Sequence, residues 1–203
     1  MSDLGTNTVL VARKWVDRRA VVDPLTGVVH TDPRTSGASD ADDAALEWGL
    51  RLAEAWDAQL AAVTAGPANA EAVLRQPVAL GATKAFRVDV DRDADSFDVA
   101  VAISHVARKC GASVVVCGDL SIDRGTGAVP AFVAALLGTP QALGLVDLQP
   151  DPSARGKLRA WRRLDGGRRE HLAVESPCVL SVEGGSARLR RAGLEGLLDA
   201  RGS

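Results

Sequence analysis

The sequence predicts a three-layer α/β/α fold, with a mostly parallel central sheet and a small antiparallel extension near the C-terminus. Strand-like and helix-like segments alternate from Thr8 to Leu137, which is the pattern of a parallel sheet covered by helices on both faces. The run Ser113–Val116 has the composition of a strand buried on both faces. From Gln141 onward, predicted strands follow one another without helices, which indicates an antiparallel part.

The first half of the chain divides into strands and helices by residue spacing. A strand is predicted for Thr8–Ala12. A helix is predicted for Asp40–Asp57, because Leu46, Leu50 and Ala53 recur at helical spacing and aspartates stand at the positive helix terminus. The other predicted elements are an irregular segment over Arg13–Ser39, a strand over Gln59–Ala65, a helix over Asn69–Leu80, a strand over Ala85–Val90 and a helix over Ser96–Cys110.

The second half contains a glycine-rich loop and a group of strands. After the strand Ser113–Val116 comes the loop Cys117–Pro130, and then a helix over Ala131–Leu137. We predict that Thr126 caps this helix and that Pro130 lies in its first turn, where a missing N–H is tolerated. The remaining predicted strands are Gln141–Leu148, Lys157–Leu164, Arg168–Val174 and Val179–Val182, with a hairpin turn at Asp165–Gly167.

Composition and charge exclude several classes of protein. The 203 residues, 46% of them hydrophobic, suffice for one substantial core. Residues 155–203 carry 11 basic and 6 acidic side chains, but Trp161 is the only aromatic residue among them, so we expect a solvated surface or an acidic partner and no nucleic acid. We expect no signal peptide and no membrane span. The three cysteines show no metal-binding spacing, which predicts reduced thiols and a cytoplasmic protein.

The glycine-rich loop has the arrangement of an anion-binding site. A strand, a glycine-rich loop and a helix in succession place backbone N–H groups and a helix N-terminus around an anion. The alternative is an ordinary strand-to-helix turn, in which the glycines serve only the backbone. Neither GxGxxG nor GxxxxGK[ST] is present, so the standard dinucleotide and P-loop fingerprints are absent.

The sequence contains no evident catalytic constellation. Ser121 lacks the GxSxG elbow of a hydrolase nucleophile, and Cys117 ends a buried strand, where an inert packed thiol is expected. Asp119 and Asp123 could pair with a cation or cap a turn, and we expect capping through hydrogen bonds to their own backbone. The histidines are widely spaced and stand in no metal or triad pattern: His30, His105 and His171. We therefore predict no catalytic and no metal-ligating residue.

Ordered landmarks along nearly the whole chain resemble the electron transfer flavoprotein β subunit family. The segment Gly118–Val129, followed by Leu136–Gly138 and Pro140-Gln141, resembles the nucleotide loop of that family. Earlier landmarks fall in the family's order: Val9–Val16 resembles its first strand, Asp42–Leu52 the opening of its first helix, Val63–Pro67 the next strand end and Ala79–Ala82 the next helix end. A narrower resemblance, to the branch found beside the mycofactocin redox system in actinobacteria, is carried by Trp15, Val21–Pro24, Thr31–Arg34 and Ser36–Ser39.

This resemblance implies a fold, cofactors and partners. The sheet would be adenine-nucleotide-α-hydrolase-like, with residues 1–148 as the nucleotide-binding domain and residues 149–203 as an antiparallel extension and partner-contact segment of one structural unit. The family's β subunit pairs with an α subunit that holds the redox-active FAD. The heterodimer carries electrons from a flavin dehydrogenase to a quinone-reductase-type acceptor, and the β subunit itself holds AMP or, in bifurcating relatives, a second FAD.

The resemblance also implies individual site residues. Leu194 matches an exposed leucine that anchors in a pocket on the dehydrogenase; the alternative is a short helix whose leucines pack on the domain. Ala12 would lie near the adenine, and the loop from Gly118 to Val129 would hold the phosphate. The full set implied for cofactor binding is Ala12, Asp42, Ala65, Gly118, Ser121, Asp123, Gly125, Thr126, Gly127, Ala128 and Val129.

The chain departs from the family pattern at several positions. Where the family commonly has GDTGQVGP, this chain has Arg124–Ala131, so two polar side chains are missing from the phosphate loop. Backbone amides and Arg124 are expected to compensate. Ser39-Asp40 replaces the usual Asn-Pro before the first helix. Relatives usually carry a further C-terminal arm that wraps the α subunit, so we expect a smaller or differently built heterodimer interface.

Two functions of other classes are the alternatives to an electron-carrier subunit. One is a nucleotide-sensing module without redox partners, similar in architecture to universal stress proteins. The other is an enzyme that acts on an adenylated substrate, which is disfavoured because no SGGxDS-type pyrophosphatase loop is present.

Overall fold

The computed structural model describes residues 8–202 as a layered α/β structure. Its strands are β1 (Thr8–Ala12), β2 (Val16–Asp17), β3 (Val21–Val22), β4 (Val29–His30), β5 (Ser36–Gly37), β6 (Gln59–Ala65), β7 (Lys84–Val88), β8 (Ala112–Gly118), β9 (Gln141–Pro150), β10 (Lys157–Arg163), β11 (Arg169–Glu175) and β12 (Cys178–Val182). Its α-helices are α1 (Asp40–Trp56), α2 (Arg75–Ala79), α3 (Ser96–Cys110), α4 (Val129–Leu137) and α5 (Leu194–Gly202).

Eight of the strands form one sheet in the order β11-β10-β9-β12-β8-β1-β6-β7. All neighbours from β9 to β7 pair in parallel, whereas β10 is antiparallel to both β9 and β11. The predicted combination of a mostly parallel sheet with a small antiparallel extension is therefore confirmed. The extension continues the same sheet, and residue 148 lies inside β9, so the residues before and after it share one hydrogen-bonded sheet.

Two hydrophobic clusters cover the two faces of the sheet, which confirms the three layers. Successive side chains of a strand point to opposite faces. Val9 and Val11 accordingly belong to the cluster that contains the buried face of α1, and Leu10 and Ala12 to the cluster that contains buried residues of α3 and α4. Every residue of β1 is buried, as expected for a central parallel strand with helices on both sides.

Two predicted elements of the fold are corrected. The last strand, β12, does not join the antiparallel extension but pairs in parallel with β8 and β9. All five of its residues are buried, which is the pattern of an interior strand. The segment Asn69–Leu80 is not one helix: a 3₁₀ stretch, Ala68–Leu74, leads into the short α2. Pro77 lacks the N–H that would bond the carbonyl of Val73 in a continuous α-helix, and it lies instead in the first turn of α2, where a missing N–H is tolerated.

The segment predicted as irregular contains two short antiparallel ribbons, β2–β5 and β3–β4. The buried residue Asp17 organises the first of them. Its carboxylate accepts hydrogen bonds from the Thr35 hydroxyl (2.5 Å), the Arg19 amide (2.9 Å) and the Asp32 amide (2.6 Å). These bonds, led by that from Thr35, lower the pKa of Asp17, and they tie Asp17 to residues 32–35 of the same segment.

Candidate functional site

A cavity of about 510 Å³ opens at the carboxyl ends of three central strands, β1, β6 and β8. Ala12, Ala65 and Gly118, each at the end of one of these strands, line it. Strand β1 has β6 on one side and β8 on the other, so strand addition changes direction at β1. Open α/β sheets bind ligands at such a switch point, and the volume lies within the roughly 300–1,000 Å³ typical of small-molecule pockets.

Ten of the eleven residues implied for cofactor binding line this one cavity, although they come from four separate parts of the sequence. They are Ala12, Asp42, Ala65, Gly118, Ser121, Asp123, Thr126, Gly127, Ala128 and Val129. Gly125 is not among the lining residues. The fold thus brings together the end of β1, the start of α1, the end of β6 and the glycine-rich loop.

The glycine-rich loop presents backbone N–H groups where it enters α4. Gly127 has a φ of +61°, and Ala128 follows with φ −82° and ψ −25°. Such a change of hand between neighbouring residues directs successive amides into a concavity that suits an anion. Ala128 is the N-cap of α4 and no side chain caps the helix, so the prediction that Thr126 does so is wrong. The Thr126 hydroxyl lies instead 3.4 Å from that of Ser96.

Two cationic side chains connect the loop to other segments of the chain. The Lys14 ammonium group lies 2.7 Å from both carboxylate oxygens of Asp123 and 3.3 Å from Ser121 Oγ. Burial tends to raise the pKa of Asp123, but hydrogen bonds from Lys14 and Ser121 hold it below its usual value. The Arg124 guanidinium donates to the carbonyl oxygens of Ala94 and of Arg92 (3.2 Å). Arg124 is therefore tied to a neighbouring loop.

The carboxylates predicted to cap turns behave differently from one another. Asp119 accepts a hydrogen bond from the amide of Leu120 (2.8 Å), as a turn-capping residue does. Asp123 pairs mainly with Lys14, across 109 residues of sequence. This long-range contact has no signature in the loop's own sequence.

The N-terminus of α1 forms the floor of the cavity beside β8. Ser39 and Asp42 make a capping box, in which the Asp42 carboxylate accepts the Ser39 amide (3.1 Å) and hydroxyl (2.8 Å). Burial raises the pKa of Asp42 against these bonds. A Cβ on Gly118 would lie 2.9 Å from Ala41 Cβ and 3.2 Å from the Asp42 nitrogen, so this glycine allows α1 to approach the sheet. Asp42 thus lines the cavity, but its carboxylate is already hydrogen-bonded to Ser39.

Sequence reasoning missed several residues of the cavity wall. Lys14 and Trp15 line the cavity directly after β1, and Arg92 lines it from the loop after β7, where its guanidinium donates to Thr31 Oγ1 (2.9 Å). The available signal was position: polar residues that immediately follow a central parallel strand lie at the edge where ligands bind.

Comparison with known proteins shows the family of this chain. Residues 26–196 match the family model described as "Electron transfer flavoprotein domain". The chain belongs to the electron transfer flavoprotein family. This match covers most of the chain, including the cavity's glycine-rich loop, and it confirms the resemblance drawn from the ordered landmarks.

The relatives of this electron transfer flavoprotein chain include several β subunits and Protein FixA. It is 30% identical over 163 residues to the electron transfer flavoprotein subunit beta of Methylophilus methylotrophus, 29% over 182 residues to that of Thermoanaerobacterium thermosaccharolyticum, and 28% over 186 residues to Protein FixA of Rhizobium meliloti. The matches cover 78%, 87% and 88% of this chain. The chain spans 61%, 67% and 63% of the lengths of these relatives.

Among solved structures, a universal stress protein in complex with cAMP aligns with this chain at a TM-score of 0.40 and 27% identity. That alignment covers 66% of this chain and 91% of the other.

The leucines near the end of this electron transfer flavoprotein chain lie at the surface. Leu194, at the start of α5, is 76% exposed, and Leu197 and Leu198 are about half exposed. Helix α5 packs on α2 at Gly196, where a Cβ would lie 2.2 Å from the carbonyl oxygen of Ala79. The alternative in which these leucines pack together on the domain is therefore wrong.

Reactive groups of other kinds are buried or dispersed. Burial raises the pKa of the Cys117 thiol to about 12, with a contribution from Asp42, as expected for an inert packed cysteine. Within residues 8–202, no group of three or more histidine, cysteine or acidic side chains could hold a metal ion. In the same range no helix has the length and apolar character needed to cross a membrane.

Proposed function

We propose that this chain is the β subunit of a heterodimeric electron transfer flavoprotein, and that its cavity holds an AMP-like nucleotide or FAD. The observation that carries this proposal is the gathering of ten implied nucleotide-binding residues around one cavity at the sheet's switch point, in a chain of this family. In this role the chain is an electron-carrier subunit without catalytic residues of its own.

The cavity offers a distinct contact to each part of such a nucleotide. The amides of Gly127 and Ala128, at the N-terminus of α4, would hold a phosphate. Ser121 and Asp123 carry oxygens suited to ribose hydroxyls. Ala12 and Ala65 supply a small apolar floor on which adenine would lie.

We assign the redox chemistry to FAD, which supplies an electron-accepting ring when bound. The site of that ring would lie mainly on an α partner. This chain's residues would bind and orient, as proteins do for cofactors that carry the chemistry. A flavin dehydrogenase is the proposed donor, and a quinone-reductase-type protein the proposed acceptor. A cytoplasmic location and membership of the mycofactocin-associated branch, carried by Trp15 and Thr31–Arg34 among others, belong to the same proposal.

Co-expression with an electron transfer flavoprotein α subunit tests this function. We expect the two chains to co-purify with a reducible flavin, whereas this chain purified alone shows no stoichiometric flavin in its visible spectrum. A stoichiometric, reducible flavin on the isolated chain would contradict the simple carrier subunit and favour a second FAD in the β cavity. A chain that binds AMP but no α subunit would favour a stand-alone nucleotide-binding module.

Leu194→Ala is expected to slow electron transfer from the cognate dehydrogenase while leaving folding and heterodimer assembly unchanged. A docked leucine side chain contributes on the order of 1.5–3 kcal/mol by burying apolar area. In this structure Leu194 is 76% exposed, so its truncation removes little internal packing.

The matched control is Leu198→Ala, on the same helix and 58% exposed. Stopped-flow reduction of the heterodimer by the dehydrogenase, with a melting curve for each variant, measures both effects. If Leu194→Ala transfers electrons as fast as Leu198→Ala, Leu194 is not the docking residue.

A further inference from the structure

The wall of the cavity is unfavourably charged for the phosphate it is proposed to bind. Six aspartates line it, against four cationic side chains, Arg13, Lys14, Arg92 and Arg124. A cube of 510 Å³ has an edge of about 8 Å, close to the Debye length at physiological ionic strength. Salt therefore screens these wall charges only in part. The electrostatic potential at the phosphate position depends on which carboxylates the four cations pair with.

Three of the four cations are engaged away from the loop carboxylates. The Arg13 side chain is wholly buried and pairs with Asp43. The guanidinium of Arg92 donates to Thr31, and that of Arg124 donates to two backbone carbonyls of the loop after β7. None of these contacts compensates the carboxylate of Asp123.

Lys14 alone among these four bonds a carboxylate of the glycine-rich loop. Its ammonium group contacts both oxygens of Asp123 at 2.7 Å, and the two side chains remain about one-third exposed at the cavity rim. Asp123 stands four residues before Gly127, and both line the cavity. Without Lys14, the Asp123 carboxylate would have no cationic partner and would lie near the amides of Gly127 and Ala128 that are proposed to bind the phosphate.

We propose that Lys14 is a positioning residue that neutralises Asp123 and so makes the cavity selective for a phosphorylated adenosine over the uncharged nucleoside. The role rests on the proposed function. Lys14 acts through Asp123: it removes a repulsion from the ligand's anionic group and holds the loop in place before the ligand arrives. The selectivity arises from charge, so it must appear in the ratio of affinities for AMP and adenosine. Removal of the Asp123 charge together with Lys14 must restore that ratio, which it would not do if the loop had only lost its order.

The test compares AMP and adenosine as calorimetric titrants against the whole chain and three variants. For Lys14→Met we expect about a tenfold weaker affinity for AMP and little change for adenosine, as suits loss of one partly exposed charge pair. Lys14→Arg should restore the ratio. Lys14→Met combined with Asp123→Asn should bring the ratio of AMP affinity to adenosine affinity back to within about threefold of wild type, because the repelling carboxylate is gone as well and any change at the ribose affects both ligands.

Lys157→Met is the matched control, since Lys157 forms an exposed pair with Glu175 (2.9 Å) on the antiparallel extension and does not line the cavity. If the ratio of AMP affinity to adenosine affinity is unchanged in Lys14→Met, including the case of an equal loss of both affinities, the proposed role of Lys14 is wrong. The proposed function still stands in that case, provided that the wild-type chain binds AMP. A wild-type chain that binds neither ligand overturns both.

Discussion

Gly127→Val is expected to abolish nucleotide binding by the folded protein. Gly127 has a φ of +61°, a conformation that a β-branched residue adopts only under strain. A Cβ at this position would also lie 3.0 Å from the carbonyl oxygen of Asp119, which is backbone and cannot rotate away. The loop must shift to accept valine, and the amides of Gly127 and Ala128 would then no longer converge on a phosphate.

Gly125→Val provides a control with the same backbone strain. Gly125 has a φ of +63°, but a Cβ there meets nothing within 4 Å and the residue does not line the cavity. We expect similar losses of thermal stability in both variants and a loss of AMP affinity of more than a hundredfold only in Gly127→Val. Calorimetric titration with AMP and FAD, beside a melting curve, measures both properties. Unchanged affinity in folded Gly127→Val would show that the loop is not the phosphate site.

The parts of the fold that depend on local spacing could be predicted from the sequence. The boundaries of β1 and β6 agree with the structure, and α1 agrees to within a residue, because its N-terminal aspartates and apolar spacing are local signals. The placement of β12 could not be predicted in the same way. Its residues predict a strand, but they do not show whether it pairs with the parallel or the antiparallel strands. That pairing depends on the arrangement of the rest of the sheet.

In the candidate site, too, the features with a local sequence pattern could be predicted and the contacts between distant residues could not. Ten residues named from a resemblance line one cavity, because the glycine-rich loop and the ends of β1 and β6 carry recognisable patterns. The contacts among them were not foreseen. Lys14 meets Asp123 across 109 residues, and Arg124 bonds carbonyls of a neighbouring loop, since the geometry of long side chains depends on tertiary packing. Thr126 is not the N-cap of α4, because the helix begins at Val129 and its N-cap is Ala128, two residues after Thr126.

The buried Arg13 in the cavity wall is the site of the largest expected effect on stability. Arg13 follows an apolar strand, its backbone amide donates to the carbonyl of Val63 (2.9 Å), and its side chain has no exposed surface. The guanidinium pairs with Asp43 and donates twice to Gln76 Oε1 (3.0 Å each), while its Nε has no partner. Burial lowers the pKa of Arg13, yet an arginine remains charged at neutral pH.

Asp43→Ala should therefore destabilise the protein by about 3 kcal/mol, because removal of one partner leaves a buried charge uncompensated. Arg13→Met should cost far less, about 1 kcal/mol, since Asp43 is one-third exposed and water can solvate it. The double variant should recover most of the loss seen in Asp43→Ala, because an apolar side chain of similar length then fills the site. Chemical denaturation of the three proteins measures these differences.

Asp40→Ala controls for the loss of a negative charge at the N-terminus of α1, where Asp40 is exposed and in the same first turn. It should cost no more than about 1 kcal/mol, the usual size of a helix-dipole interaction. If Asp43→Ala is no less stable than Asp40→Ala, or if the double variant is as unstable as Asp43→Ala, the ion pair does not carry this energy. In the expected case, the pair anchors α1 to the end of β1, and with it the floor on which the nucleotide would lie.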